Sequence, residues 1–509
     1  MSAVSAEKPV APDVRLTVGL RSRVAVATGA QGTVLVHPWG VSTVQALPEV
    51  GAALVALSAK ALDAVAIAEL VASGRAADDA QVVAAMDQLD MVLKSLPMLV
   101  TRGVSYGSES FVTIEPISDR AGDLDARPLP SNAQLSLDRF AYLRRRPEVP
   151  GLCLESPLAL HRAQLGESIV PLIARIAHNP TNVGGLFNAY ETTAIQLLAA
   201  AGFVRTGEYS NAEDERLVTW SFHDLVFHAR SRPGRSDSLF GAYFLHRDRL
   251  SPPSATPDRR TGPVVDLPSP NFADVVASER TLTEVIESRS SVREYDGNPL
   301  TVAQLGELLY RSARIRRLVP VESIAPYEGA DRPYPTGGLT GELEIYVIVA
   351  RCTGLSAGIY HYESAAHRLR LVNGPEAAAP LLEAARIATG GRIEPQVLLT
   401  VTARFARTAW KYEGIAYALM LKHVGALLQT LYLVATSMGL GPCALGTGDA
   451  DRAATSFGLD WLVESSLGEL ALGSRAERVV WARWFSDVVA ETRQADLEPL
   501  TQERGPGSR

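Results

Sequence analysis

The chain has 509 residues, 47% of them hydrophobic, which is too long for one hydrophobic core and enough apolar material to pack several domains. Lys plus Arg total 49 against 56 Asp plus Glu, a net charge of -7, so the chain lacks the general cationic surface of a nucleic-acid binder. Cys153, Cys352 and Cys443 lie far apart with no CxxC pair, which excludes a disulfide framework and a zinc site and leaves redox chemistry to a bound cofactor.

In chain order, the N-terminal "MSAVSAEKPVAPDVRL" has no apolar core behind a basic start, and no uninterrupted apolar run reaches the length of a membrane span. A cytoplasmic protein without a membrane partner is expected. "VRLTVGLRSRVAVAT" and "GTVLVHPWG" alternate like strands, and "ALVALSAKALDAVAIAELVASG" and "DDAQVVAAMDQLDMVLKSL" repeat apolar residues at helical spacing. The rhythm returns in "LDRFAYLRRR" and "GLCLES", followed by "GESIVPLIARIAH" and "VGGLFNAYETTAIQLLAAAGFV". A hairpin plus helices, twice, predicts two winged-helix-like modules over residues 1–105 and 106–214. Arg144, Arg145 and Arg146 could be read as a phosphate patch, but the acidic balance argues against nucleic acid as a partner. Peptide capture suits such modules better, because an exposed wing edge carries unpaired backbone groups that can accept an added strand.

Residues 251–270 hold six prolines and little periodic apolar content, which predicts a connecting segment over about 215–275. Beyond it, over 276–509, the pattern is α+β: helix, loop and helix through "TLTEVIESRSSVREYDGNPLTVAQLGELLYRSARI", strands at "LEIYVIVA", "GIYHYESAAHRLRLV" and "QVLLTVTARF", and a long helix over 411–438 stopped by Gly439. Lys422, His423 and Gln429 within that helix, with Gly414 and Gly425, mark a buried core helix rather than a membrane one.

"SRSSVREYDGNPL", "YPTGGL", "GPCALGTGD" and "GELALGSR" follow one another in the order found in the flavin nitroreductase fold, and no one of them is specific alone. With "KYEGIAYALMLKHVGALLQTLYLVATSMGLGPCALG" and the upstream "WSFHDLVFHARSR", the chain resembles the SagB-type dehydrogenases that oxidise azolines in ribosomal peptide natural products. The resemblance is strong over roughly 215–509 and looser upstream, where it implies peptide-clamp modules. It implies an FMN domain. Arg289, Ser290, Ser291 and Arg293 place two guanidinium groups and two hydroxyls within five positions, suited to a phosphate and ribityl chain. Pro335, Thr336, Gly337 and Gly338 form a turn where backbone can approach a flat ring. By resemblance, Pro442, Cys443, Ala444, Leu445 and Gly446 lie along the isoalloxazine, and Arg475 is a second phosphate ligand. Cys443 has no adjacent base and reads as a small apolar filler. No Rossmann GxGxxG follows a strand, and His223, His228 and His361 belong to no metal set, so no metal is expected.

The catalytic pair implied by the resemblance is Lys411 and Tyr412. Adjacent helical residues point about 100° apart, so both can serve one pocket only at an irregular helix start, which Gly414 permits. Lys411 is expected to take the ring α-proton, and Tyr412 to orient it by a hydrogen bond or to replace it as base. The implied activity is FMN-dependent oxidation of thiazoline or oxazoline rings, with a precursor peptide (leader and azoline-bearing core), a cyclodehydratase complex and a second copy of the chain as partners. An NAD(P)H-dependent nitro or quinone reductase on the same fold, and a non-catalytic peptide-binding scaffold, are the alternatives. Paired docking modules speak against the first, and bound flavin with an intact Lys-Tyr pair would speak against the second.

Overall fold

The computed structural model describes residues 14–475 apart from 30–31, 74–78, 108, 184–187, 259 and 323–324. The chain forms two compact units, one reaching Tyr243 and including Glu413–Ile415, the other built from Phe244–Tyr412 and the residues from Ala416 onward.

The first unit is organised by a seven-stranded antiparallel sheet in the order Leu62–Asp63, Val14–Leu20, Val100–Tyr106, Glu109–Pro116, His161–Leu165, Val149–Glu155, Tyr142–Arg146. Two apolar cores flank it. Leu35, Leu54, Ile67, Leu89 and Leu99 fill one, and Phe111, Leu135, Ile173, Leu198 and Phe203 fill the other. Each half thus carries its expected hairpins and helices. The expected boundary at 105/106 is not a domain boundary, however, because it falls inside the strand Val100–Tyr106, which pairs with Val14–Leu20 on one side and Glu109–Pro116 on the other. The boundary at 214/215 likewise falls inside the helix Asn211–Leu217.

The second unit has three layers. Its sheet runs Val264–Asp266, Arg368–Asn373, Gly358–Glu363, Leu343–Val349, Val397–Arg404, Glu464–Ser474, Leu440–Leu445, antiparallel throughout. Every residue of Leu343–Val349 is buried, because helices cover both faces; this is why the segment reads as a continuous apolar run rather than an alternating one. Leu343, Ile345, Val347, Leu399 and Val401 pack toward Val302–Ala313 and the long helix Ala416–Ser437. Tyr346, Ile348, Leu398 and Ala471 pack toward Pro375–Ala388 and Ala450–Phe457. The long helix is long and apolar enough to cross a membrane by length and composition. Here Met420, Val424, Leu427, Leu431 and Ala435, at helical spacing, bury one face of it in the core.

The proline-rich stretch is not a free link. Backbone carbonyls of Leu250, Pro253 and Ser254 accept hydrogen bonds from Trp410 Nε1 (2.7 Å), Arg407 (2.6 Å) and Arg404 (2.9 Å), and Val264–Asp266 joins the sheet edge. Prolines supply acceptors without donors, so an extended segment held through its carbonyls tolerates them. The expected limit at 275/276 falls inside the helix Phe272–Ser278.

Candidate active site

Two clusters of side chains in the second unit gather the expected site residues, and both lean on the long helix. The first begins where a short helix ends. Thr281 caps Leu282–Ser288: its hydroxyl accepts from Glu284 N–H (3.3 Å) while the Glu284 carboxylate accepts from Thr281 N–H (2.8 Å). Arg289 turns to extended backbone (φ -61°, ψ 131°), which releases Ser290–Arg293 from helical geometry. Val292 N–H then donates to Pro442 O at 2.9 Å and lays this loop beside the strand Leu440–Leu445. Tyr432, from the long helix, joins the two: its hydroxyl accepts from Ala444 N–H (2.7 Å) and shares a hydrogen bond with Ser291 Oγ (2.8 Å), while the Arg289 guanidinium lies 5.2 Å from its ring centroid. Arg293 is exposed. Arg475 sits at the end of the last strand, where its backbone bridges to Tyr295. Ser290 Oγ is buried with no hydrogen-bond partner. A buried hydroxyl left unpaired is costly.

Cys443 is 1% exposed and pairs with Ala471 on the neighbouring strand, and burial pushes its thiol pKa up, as suits a filler rather than a nucleophile. Gly446 is exposed at the strand's end. Leu445 lines a cavity of about 260 Å³ together with Leu398, Thr400 and Glu469. Burial pushes the Glu469 carboxyl up to about 6. An unfolded glutamate titrates near 4.3, so Glu469 adds stability below that value and loses it as pH rises through about 6. The loss amounts to about 2 kcal/mol above pH 7. Glu469→Gln is expected to flatten this part of the unfolding-midpoint profile between pH 4 and 7; an unchanged profile would mean the carboxyl is solvated.

The second cluster surrounds the turn after Pro335. Pro335 and Gly338 are exposed at its rim, and Thr336 O accepts from Leu339 N–H at 3.3 Å. Gly338 has φ +65°, a conformation side chains resist, and a Cβ there would lie 1.9 Å from Lys411 Nζ. The missing side chain therefore makes room for the amine. Lys411 and Tyr412 follow the short helix Phe405–Ala409 and precede Ala416, at an irregular stretch as expected. The orienting hydroxyl is not that of Tyr412. Lys411 Nζ donates to Tyr327 Oη at 2.7 Å, and Tyr412 instead presents its ring, 5.1 Å from Nζ. Tyr327 arrives from a distant segment, and it is its hydroxyl that the amine meets.

Sequence reasoning missed Tyr327, His423, Glu342 and Tyr432. His423 Nε2 accepts from Gly337 N–H at 2.8 Å and its Nδ1 meets Glu342 Oε1 at 2.6 Å. Burial acts to raise the Glu342 pKa, but the hydrogen bond from His423, with further bonds from backbone and Thr340, brings it below the usual carboxylate value. The one available signal was a histidine on the buried face of an apolar helix. His423 and Tyr432 are nine residues apart on that helix, about 14 Å along its axis, so the two clusters lie at separate points along one rigid rod.

In the first unit, Arg144 donates to Glu155 at 2.8 Å, and Arg146 lies 3.7 Å from Glu148 and 3.9 Å from Glu115. Two of the three expected phosphate-patch arginines are thus paired with carboxylates. Among the described residues, no group of three or more His, Cys, Asp or Glu side chains is placed to hold a metal ion.

Residues 286–474 match the nitroreductase family, and residues 135–237 match the cyanobactin oxidase ThcOx family. A ThcOx-like segment is thus followed by a nitroreductase-like oxidoreductase domain. The ThcOx match spans the hairpin Tyr142–Glu155 and the helices that follow it. MJ1384 of Methanocaldococcus jannaschii, described as a nitroreductase, is 29% identical over 185 residues, 36% of this chain and 85% of its own length. The trifolitoxin-processing protein TfxB of Rhizobium leguminosarum bv. trifolii is 30% identical over 124 residues, 24% of this chain and 33% of its own. Among solved structures, the E. coli microcin synthetase McbBCD complex with truncated pro-MccB17 bound is 18% identical, with 55% of this chain and 86% of that chain covered at a TM-score of 0.30.

Proposed function

We propose that this oxidoreductase is an FMN-dependent dehydrogenase that converts thiazoline or oxazoline rings of a ribosomally made precursor peptide to thiazole or oxazole. The observation that carries the reading is the Lys411 amine, held 2.7 Å from Tyr327 Oη beside the side-chain-free Gly338, within a nitroreductase domain that follows a ThcOx segment. The residues present suit FMN. The orphaned Ser290 Oγ, with Ser291, Arg289, Arg293 and Arg475, offers hydroxyls and guanidinium groups for a ribityl phosphate. FMN bound there would supply the acceptor for the ring's hydride, with dioxygen as the final electron acceptor.

Lys411 takes the α-proton of the azoline as a neutral amine, and the ring loses that proton and one hydride, two hydrogens in all, to become aromatic. Tyr327 holds the amine while the Tyr412 ring covers it. The first unit docks the leader as an added strand, which raises the core's effective concentration at the site without altering its chemistry. The enzyme acts in the cytoplasm as a homodimer, alongside a cyclodehydratase that makes its azoline substrate.

The purified protein is expected to be yellow, to release FMN on denaturation, and to remove two hydrogens per ring from an azoline-bearing precursor by mass spectrometry. A protein that cannot be reconstituted with FMN, or that turns over nitro compounds with NAD(P)H and leaves the peptide mass unchanged, would sink this reading. Light scattering tests the dimer, which a flavin-loaded monomer would contradict.

A further inference from the structure

The amine of Lys411 is held by residues that no motif marks. We infer that Glu342, His423 and Tyr327 form a positioning chain that aims the Lys411 amine through the turn Thr336–Thr340, an inference that rests on reading Lys411 as the proton acceptor.

The chain can be followed atom by atom. Gly337 N–H donates to His423 Nε2 at 2.8 Å, so that nitrogen carries no proton, and the imidazole must place its proton on Nδ1, where Glu342 Oε1 receives it at 2.6 Å. Glu342 is fully buried and His423 is 6% exposed, so neither group exchanges its partner for water. The second Glu342 oxygen accepts from Thr340 Oγ1 at 2.9 Å, and Thr340 O accepts from Arg407 Nε at 2.8 Å. One flank of the turn is thereby pinned through the Gly337 N–H. The other flank is pinned through the Gly338 carbonyl, which accepts from the Tyr327 hydroxyl. With its single proton committed to Gly338 O, Tyr327 Oη can only accept from Lys411 Nζ, at 2.7 Å. Burial raises the Tyr327 pKa and keeps that proton in place.

The consequence is mechanical. The turn, at the φ +65° of Gly338, is locked on its N–H by a histidine whose tautomer a carboxylate selects, and on its C=O by the hydroxyl that receives the amine. A shift on the His423 side moves Gly338 O, then Tyr327, then Lys411. The three act through the Lys411 amine, so they are positioning residues.

The test reads Lys411 directly and uses no substrate. The chain has five lysines, at 8, 60, 94, 411 and 422, so trace labelling with acetic anhydride can be followed peptide by peptide by mass spectrometry. In the wild type, Lys411 is expected to label more slowly than the exposed Lys94. Tyr327→Phe, His423→Leu and Glu342→Gln are each expected to speed Lys411 labelling roughly fivefold, the factor for releasing one hydrogen bond, with Lys94 unchanged. His423→Gln, whose amide oxygen can still accept from Gly337 N–H, is expected to stay closer to wild type. A Lys411 rate that stays at the wild-type value in all three folded variants overturns the chain, and so does a rise in Tyr327→Phe alone. A variant that has lost its cooperative unfolding transition by circular dichroism is set aside for the other two. The labelling does not depend on azoline turnover, so failure of the proposed activity and failure of this inference give separate results.

Discussion

Lys411→Ala is expected to keep FMN bound and to slow single-turnover azoline oxidation by about 100- to 10,000-fold, the usual cost of removing acid/base help from a proton transfer. The amine is the group at issue. It is placed by the emptiness at Gly338 and by Tyr327 Oη at 2.7 Å, and alanine leaves both without an occupant. The cofactor groups nearest the loop at Ser290 and Ser291 are organised by Tyr432 and Pro442, with no bond to Lys411, so flavin content should hold. The two tyrosines then separate by chemistry. Tyr412→Phe keeps the ring that faces the ammonium at 5.1 Å and should retain most of the rate, whereas Tyr327→Phe removes the acceptor itself and should not. Rapid mixing of enzyme with azoline peptide, with the mass of the peptide read over time, measures all three. Oxidation by Lys411→Ala at the wild-type rate would show that the amine has no part in the chemistry.

Arg407→Leu is expected to destabilise the second unit by about 3 kcal/mol or more. The guanidinium is 3% exposed and donates to three backbone carbonyls, Thr340 O (2.8 Å), Pro253 O (2.6 Å) and Glu328 O (2.8 Å). Leucine keeps part of the apolar stem and leaves three buried acceptors without a donor, at about 1 to 3 kcal/mol each. Relief from burying a charge works the other way. Desolvation lowers the Arg407 pKa to about 10, which still leaves it charged at neutral pH, so the folded protein already bears that cost with its hydrogen bonds in place. The unpaired carbonyls therefore decide the sign. Because Pro253 O lies in the proline-rich stretch, the loss should also expose that stretch to protease. Chemical unfolding followed by circular dichroism, with limited proteolysis beside it, checks both; an unchanged midpoint would mean that water replaces the guanidinium.

The second unit was largely legible because its signals are local. Leu343–Val349 and Val397–Arg404 announce strands buried on both faces, since aliphatic and β-branched residues dominate both runs. Thr281 with Glu284, and Thr301 with Gln304, announce helix starts because both members of each capping box lie within one turn. The order of the Arg289–Arg293, Gly337–Gly338 and Pro442–Gly446 segments was likewise readable, as was the irregular stretch at Lys411 and Tyr412. Local sequence could determine these because turns, caps and burial periods are properties of a few neighbouring residues.

What only the tertiary structure decided depends on residues far apart in the chain. The pairing of Val14–Leu20 with Val100–Tyr106 joins two expected modules through one sheet, and no local pattern distinguishes that partner from any other strand with alternating residues. The proline-rich stretch reads as a link until Arg404, Arg407 and Trp410, some 150 residues on, are seen to bind its carbonyls. The partner of Lys411 was settled the same way. Sequence adjacency favoured Tyr412, but a hydrogen bond needs a hydroxyl directed at the amine, and only the folding of the Tyr327 segment against Gly338 brings one there; the Glu342 and His423 that hold the turn come from the residue before a strand and from a helix, 81 residues apart.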